Sequence, residues 1–219
     1  MSVAVIIVAP MATTVMAYHS CMSRWKPNAR SRLQQSALEI YSERGFEQAT
    51  VVEIAQRAGL TERTFFRHFA DKREVLFAGA DALQEFLVGS IASEPAATAP
   101  IDAIAGALEA AAVALFPQER REFVQQRQAV IAANAGLQER ELIKLASLSA
   151  GIANTLRRRG VREPAARLTA EAGIVIFKVA FERWVNSDNQ RELEHLIRES
   201  LDELKAVIAG AESRTIGRA

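Results

Sequence analysis

Residues 50–69 read Thr50-Val51-Val52-Glu53-Ile54-Ala55-Gln56-Arg57-Ala58-Gly59-Leu60-Thr61-Glu62-Arg63-Thr64-Phe65-Phe66-Arg67-His68-Phe69. Two short helices separated by a glycine are written into this run. Thr50 and Glu53 have capping-box spacing: the threonine hydroxyl accepts from the third backbone N–H while the glutamate reaches back to the cap. The helix they open runs to about Ala58. Gly59 tolerates the positive φ of a tight interhelical turn, and Leu60 plugs the angle between the helices. Thr61 caps the second helix, whose Phe65 and Phe69 lie four apart and face inward together. That leaves Arg63, Thr64, Arg67 and His68 outside.

Outward from this pair the pattern continues. From Asn28 to Arg44 the apolar Leu33, Ala37, Ile40 and Tyr41 recur at helical spacing opposite Arg30, Arg32, Gln34, Gln35 and Glu43, which predicts an amphipathic helix. Gly45 ends it and Phe46 turns back onto the core. Downstream, Asp71 caps a fourth helix that starts Lys72-Arg73-Glu74 and runs through Leu76, Leu83, Phe86 and Leu87 to about Ser93.

A short helix, a glycine turn and a second short helix with basic and hydroxylic residues near its start is the geometry that lays one helix in the major groove of DNA. Arg63 suits a bidentate contact to guanine O6 and N7, and Thr64 a thymine methyl or a phosphate. Arg67, His68 and Lys72 suit phosphates, as does Thr50 through its hydroxyl and the helix end. Glu62 either accepts from cytosine N4 or serves the helix dipole.

Charge along the chain agrees with this placement. The 219 residues carry a net charge of +1, yet residues 24–73 hold ten basic and six acidic side chains, net +4, leaving −3 elsewhere. A basic surplus in one segment is the footprint of a polyanion partner. The single cysteine, Cys21, excludes an intramolecular disulfide framework and suits a reducing cytoplasm. His19, His68 and His195 are far apart in sequence, and no H-E-x-x-H, G-x-S-x-G or phosphate-cradling glycine loop is present, so nothing points to an enzyme. No metal or cofactor is expected. Residues 1–22 carry no Asp, Glu, Lys or Arg, lack a basic n-region, and are interrupted by Pro10. They read as a disordered extension or a start-site artefact with translation beginning at Met22 or Met16, and not as a membrane span.

The stretch AxxxYSERGFEQATVVEIAQRAGLTERTFFRHFADKREVLF resembles the TetR family of transcription regulators over residues 28–77. The resemblance implies an all-α chain: a three-helix helix-turn-helix domain at 24–76 and a helical ligand-binding and dimerisation bundle at 77–219. It places Thr50, Thr61, Arg63, Thr64, Phe66, Arg67, His68 and Lys72 at the DNA-facing positions. Phe66 departs from the family, which commonly has a tyrosine there whose hydroxyl touches phosphate. The partners implied are a palindromic double-stranded DNA operator, a small-molecule effector of unknown identity and a second copy of the chain, with repression relieved when the effector binds. A DNA-binding architectural or interaction protein without ligand sensing is the alternative.

In the second half, breaks at Phe116-Pro117, Asn134-Ala135-Gly136, Arg159-Gly160 and Asn186–Asn189 divide helices over about 101–115, 118–133, 136–159, 164–186 and 190–209. Residues 174–181 are apolar on nearly every face and must be covered. In the family the last two helices form a four-helix interface. Phe177, Phe181, Trp184, Leu196 and Leu204 are the candidates for it here, although the same faces suit the protomer's own core. For an effector pocket the candidates are Phe86, Leu115, Phe123, Arg127, Ile131, Leu145 and Phe177. Arg127 is able either to meet an anionic ligand or to pair with Glu141 or Glu171.

Overall fold

The structure, a computed structural model, describes residues 29–186 and 191–210. The readings of residues 1–22 and of the break after Asn186 fall outside them. The described residues form nine α-helices and two short 3-10 turns with no strand.

Helix α1 (Ala29–Arg44) buries Leu33, Ala37, Ile40 and Tyr41, as the spacing predicts, and Ser36 and Leu38 as well. Helices α2 (Val51–Arg57) and α3 (Glu62–His68) follow. The joint between them rests on backbone chemistry at Gly59, which has φ +63°. Its N–H donates to Gln56 O at 2.9 Å and Leu60 N–H to Ala55 O at 2.8 Å. This pair of bonds satisfies the last carbonyls of α2 and turns the chain into α3. Arg32 donates to the Ala58 carbonyl across the same joint. A side chain at Gly59 would be strained by its φ and would also press on the Arg32 guanidinium, 2.7 Å from an ideal Cβ.

The segment after α3 differs from the uninterrupted helix expected over 72–93. Asp71 accepts from Arg73 N–H at 2.7 Å and Glu74 N–H at 3.0 Å, but it caps no helix: these bonds bend the chain into the turn that follows, whose N-cap is Arg73. Glu74–Phe77 then form a 3-10 turn, and α4 begins only at Ala80, ending at Ser93. Two side chains remote in sequence take the carbonyls involved: Arg127 Nε donates to Leu76 O at 2.6 Å and Arg30 Nη2 to Ala78 O at 2.8 Å. Within the turn Val75, Leu76 and Phe77 are all buried.

The remaining helices are α5 (Pro100–Leu115), α6 (Arg121–Ala132), α7 (Ala135–Arg158), α8 (Ala165–Asn186) and α9 (Leu193–Ile208). Helix α5 runs through the middle, against α4, α8 and α9. Its buried Ala103, Ala105, Ala107, Ala111 and Ala112 allow that close approach, and Gly173 on α8 takes it further: an ideal Cβ there would lie 2.6 Å from Ile104 Cγ2. The end of α4 is held by Arg159, whose guanidinium donates to the carbonyls of Ile91, Glu94 and Pro95. By length and hydropathy Glu74–Ser93 would suffice to cross a membrane. In the fold its Leu87 and Ile91 are wholly covered in the core shared with α5 and α7.

Two apolar cores result. The larger lies among α4–α9 and contains Trp184, Ile104 and Leu108. The smaller is built on Leu33, Ile54, Phe65 and Phe69, and it also takes in Val130, Ile131 and Leu137 from the α6–α7 junction. Phe123 touches both.

Candidate nucleic-acid interface

The capping residues set the shape of this surface. Thr50 Oγ1 accepts from Glu53 N–H at 3.2 Å, and Thr50 N–H donates to Glu53 Oε2 at 3.0 Å, so the capping box is complete. Hydrogen bonds from Thr50, first its hydroxyl and then its N–H, hold the Glu53 carboxyl below its ordinary pKa against a small opposing effect of burial, with Arg44 adding to them. Thr61 Oγ1 accepts from Thr64 N–H at 3.2 Å and lies 3.0 Å from Thr64 Oγ1. Thr61 thus fixes both the start of α3 and the orientation of the Thr64 side chain.

On α3, Phe65 is fully buried and Phe69 nearly so, which turns Arg63, Phe66 and Arg67 outward. What separates the basic residues of this half is how far each is already committed. Arg57 pairs with Glu43 through two bonds of 2.6 and 2.8 Å, and Arg44 with Glu53 at 3.1 Å. Arg30 and Arg32 hold backbone carbonyls. Lys72, expected at phosphate, directs its ammonium at the carbonyls of Phe46, Glu47 and Ala49 at 3.0, 3.0 and 3.1 Å and sits 4.5 Å from the Phe46 ring centroid. Its neighbour Tyr41 donates to Lys72 O at 2.6 Å. Burial, and then the negative charge of Asp71, raises that phenol far above its ordinary pKa. Arg63, Arg67 and Arg73 are exposed and have no side-chain partner among the described residues. His68 is half-buried, with Nε2 enclosed and unpartnered among the described residues, so that nitrogen faces protein instead of solvent.

The seven residues expected to line a pocket divide between the cores. Phe86, Leu115, Phe123 and Leu145 pack half-buried against the larger one, which contains Phe177, while Ile131 belongs to the smaller. Arg127 bonds Leu76 O, Gln128 Oε1 at 2.6 Å and Glu141 Oε1 at 3.3 Å, and its guanidinium lies 5.2 Å from the Phe77 ring centroid. Burial lowers its pKa, with Glu141 opposing. A groove of about 390 Å³ does lie between α6 and the end of α8, lined by Gln125, Gln128, Ala129, Phe181, Glu182 and Val185 among others, but by none of the seven. Phe116, which the sequence marks only as a helix break beside Pro117, joins Phe177, Phe181 and Trp184 with ring centroids 5.6–6.3 Å away. Within that cluster Trp184 Nε1 is buried with no hydrogen-bond partner among the described residues. Among the described residues no group of three His, Cys, Asp or Glu is placed to hold a metal ion.

The expected dimer residues are placed mostly inside the protomer. Phe177, Trp184 and Leu196 are buried by the chain's own helices, and Phe181 and Leu204 are half-buried. A side chain already covered has little surface to offer a second copy. The apolar stripe left open on α8 is a different one, the exposed Leu168, Val175 and Val179 with the half-buried Ala172 among them, at spacings of 4, 3 and 4.

Comparison with known proteins accords with both halves. The family model for bacterial regulatory proteins of the tetR family matches residues 34–78, and that for the MftR C-terminal domain matches residues 98–209. The HTH-type transcriptional regulator TcmR of Streptomyces glaucescens is 38% identical over 81 residues, 37% of this chain. The match spans only 36% of that relative's length. Among solved structures, a TetR-family transcriptional regulator from Syntrophomonas wolfei superposes with a TM-score of 0.56 at 14% identity, covering 85% of this chain and 98% of the other. The repressor FadR of Thermus thermophilus, solved in complex with lauroyl-CoA, gives 0.50 at 20% identity, covering 87% and 98%. At such identities the structures speak for the fold alone. The family matches span the helix-turn-helix and the helical body alike, and the chain belongs to the tetR family of bacterial regulatory proteins, DNA-binding regulators of transcription.

Proposed function

We propose that the chain acts in the cytoplasm as a homodimeric repressor, binding a two-fold symmetric operator through α3 and leaving it when a small molecule binds among the helices of the second half. The observation that carries the DNA-reading part is the uncommitted charge on and just beyond α3. Arg63, Arg67 and Arg73 are exposed without side-chain partners among the described residues, while the other basic side chains described in this half are held by carboxylates or carbonyls. Arg63 stands at the second position of α3, where a groove-bound helix brings its side chains to base edges. Arg67 and Arg73, exposed and uncommitted, neutralise phosphates in this reading.

Dimerisation is supported by the stripe Leu168, Ala172, Val175 and Val179, which nothing in the protomer covers fully. Two half-sites held in one particle multiply weak affinities. The effector reading draws on the aromatic cluster around Phe116 and Trp184 and on the unpartnered indole N–H within it. FadR, a protein of this fold, is crystallised with lauroyl-CoA; for this chain the effector is proposed only as a small molecule. Release then works as a population shift: ligand favours a body geometry in which the two copies of α3 are wrongly spaced. The bond from Arg127 to Leu76 O supplies a contact through which α6 can bias the DNA-reading half.

Selection of bound sequences from a random DNA pool tests the reading. A palindrome should be enriched, and Arg63→Ala should flatten the preference at one position per half-site, at a cost of about 1–3 kcal/mol on the preferred sequence. Binding without any enriched site would point to the architectural alternative and overturn the repressor.

A further inference from the structure

Two large apolar side chains stand exposed on the helix-turn-helix, one on each of its two short helices. Phe66 is 51% exposed and Val52, in the first turn of α2, is 43% exposed. Phe66 contrasts with its neighbour Phe65, which is fully buried and meets it edge-on at 5.5 Å between centroids. On the helix, Phe66 and Arg67 lie three and four residues after Arg63, so each neighbours Arg63 on the helix surface, and all three are exposed. The surface is thus an apolar spot bordered by uncommitted positive charge. An apolar protein partner would leave those charges unpaired against it. A polyanion with an apolar group at matching depth accommodates both features.

In the major groove that apolar group is specific. Neither phenylalanine nor valine can donate to or accept from a base edge, and the C5-methyl of thymine is the apolar group the groove presents. We propose that Phe66 reads thymine in the half-site by covering its C5-methyl. The proposal rests on the reading of α3 as a groove-entering helix, and adds a second kind of base recognition beside the polar contact of Arg63. Phe66 is a specificity residue here: a phenyl ring with no hydrogen-bonding group offers a base edge only apolar contact.

The test uses the full chain and the DNA sequence it selects from a random pool. Each thymine is replaced singly by deoxyuridine, which removes only the C5-methyl, and dissociation constants are measured for the wild-type chain, Phe66→Ser and Phe66→Leu. Because both variants alter an exposed position they should fold, which thermal unfolding followed by circular dichroism verifies. At one thymine per half-site, uracil should weaken wild-type binding about fourfold, the equivalent of the ~0.8 kcal/mol gained per buried CH₂. That penalty should disappear in Phe66→Ser and persist in Phe66→Leu. A specific site whose uracil penalties are absent, or equal in all three proteins, overturns the proposal while leaving the DNA-reading function intact. If no sequence is enriched, the function itself fails and this inference falls with it. Binding of the wild-type chain, but not Phe66→Ser, to phosphatidylserine vesicles, with DNA affinity unchanged, would assign the spot to an anionic membrane and also overturn the proposal.

Discussion

Three carbonyl oxygens, those of Phe46, Glu47 and Ala49, converge on the Lys72 ammonium, and this decides what its loss would do. Lys72→Ala leaves acceptors in the loop between α1 and α2 without their donor, and should lower stability by about 1–3 kcal/mol in urea unfolding. Its effect on DNA binding should follow from that loosening, with the slope of log K against log salt unchanged. A phosphate contact would instead lower the slope by about one. The sequence identifies Lys72 as a cation in the right neighbourhood, but not which way its stem turns. That depends on where the loop after Gly45 lies, a matter of three-dimensional proximity between residues some 25 apart. Arg73, one position on, keeps its charge in solvent and was not singled out, because adjacent basic residues carry the same sequence signal. The caps were legible for the opposite reason: Thr50 with Glu53, and Thr61 with Thr64, interact over three residues.

At the scale of elements, local rules located most helix boundaries and failed where remote side chains intervene. Pro100, Pro117 and Gly160 mark real ends because proline lacks the N–H and glycine accepts positive φ. The 3-10 turn at Glu74–Phe77 was not legible, since the groups that take its carbonyls come from Arg127 and Arg30. Nor was the double burial of α1 on both the Ile40 and the Leu38 sides: besides the short elements that follow it, α1 packs against α6, a helix remote in sequence. The close crossing of α5 and α8 gives a prediction at this scale. Gly173→Ala would raise intrinsic helix propensity by about 1 kcal/mol, but its Cβ would meet Ile104 Cγ2, and a β-branched side chain inside a packed core has little room to yield. The net effect should be a loss of about 1–3 kcal/mol, measured as a lower urea midpoint. Ile104→Val in the same chain should recover part of it.

For the whole molecule, the proposed dimer has a direct consequence. Val175→Asp with Val179→Asp places charge on the open stripe of α8 without touching buried residues, so each protomer should still fold and sediment as a monomer. Operator affinity should then fall by about 100-fold or more as the two half-sites lose their linkage. The sequence marks residues 174–181 as apolar on nearly every face and in need of cover, yet in the protomer Val175 and Val179 stand exposed. It could not divide that segment between the faces turned to α5, α7 and α9 and the face left open, because periodicity records how many sides are apolar and not which neighbour covers each.

Val130, Ile131 and Leu137 belong by sequence to the body of the protein, yet complete the core beneath the DNA-reading helices. The two halves should therefore unfold together, with a single calorimetric transition whose enthalpy equals the van't Hoff value. Modularity is limited accordingly. A chimera that joins the first eighty residues of this chain to the body of another regulator would inherit its reading helix without the three side chains on which that helix's core closes. It should recover full stability only when Val130, Ile131 and Leu137 are transplanted along with them.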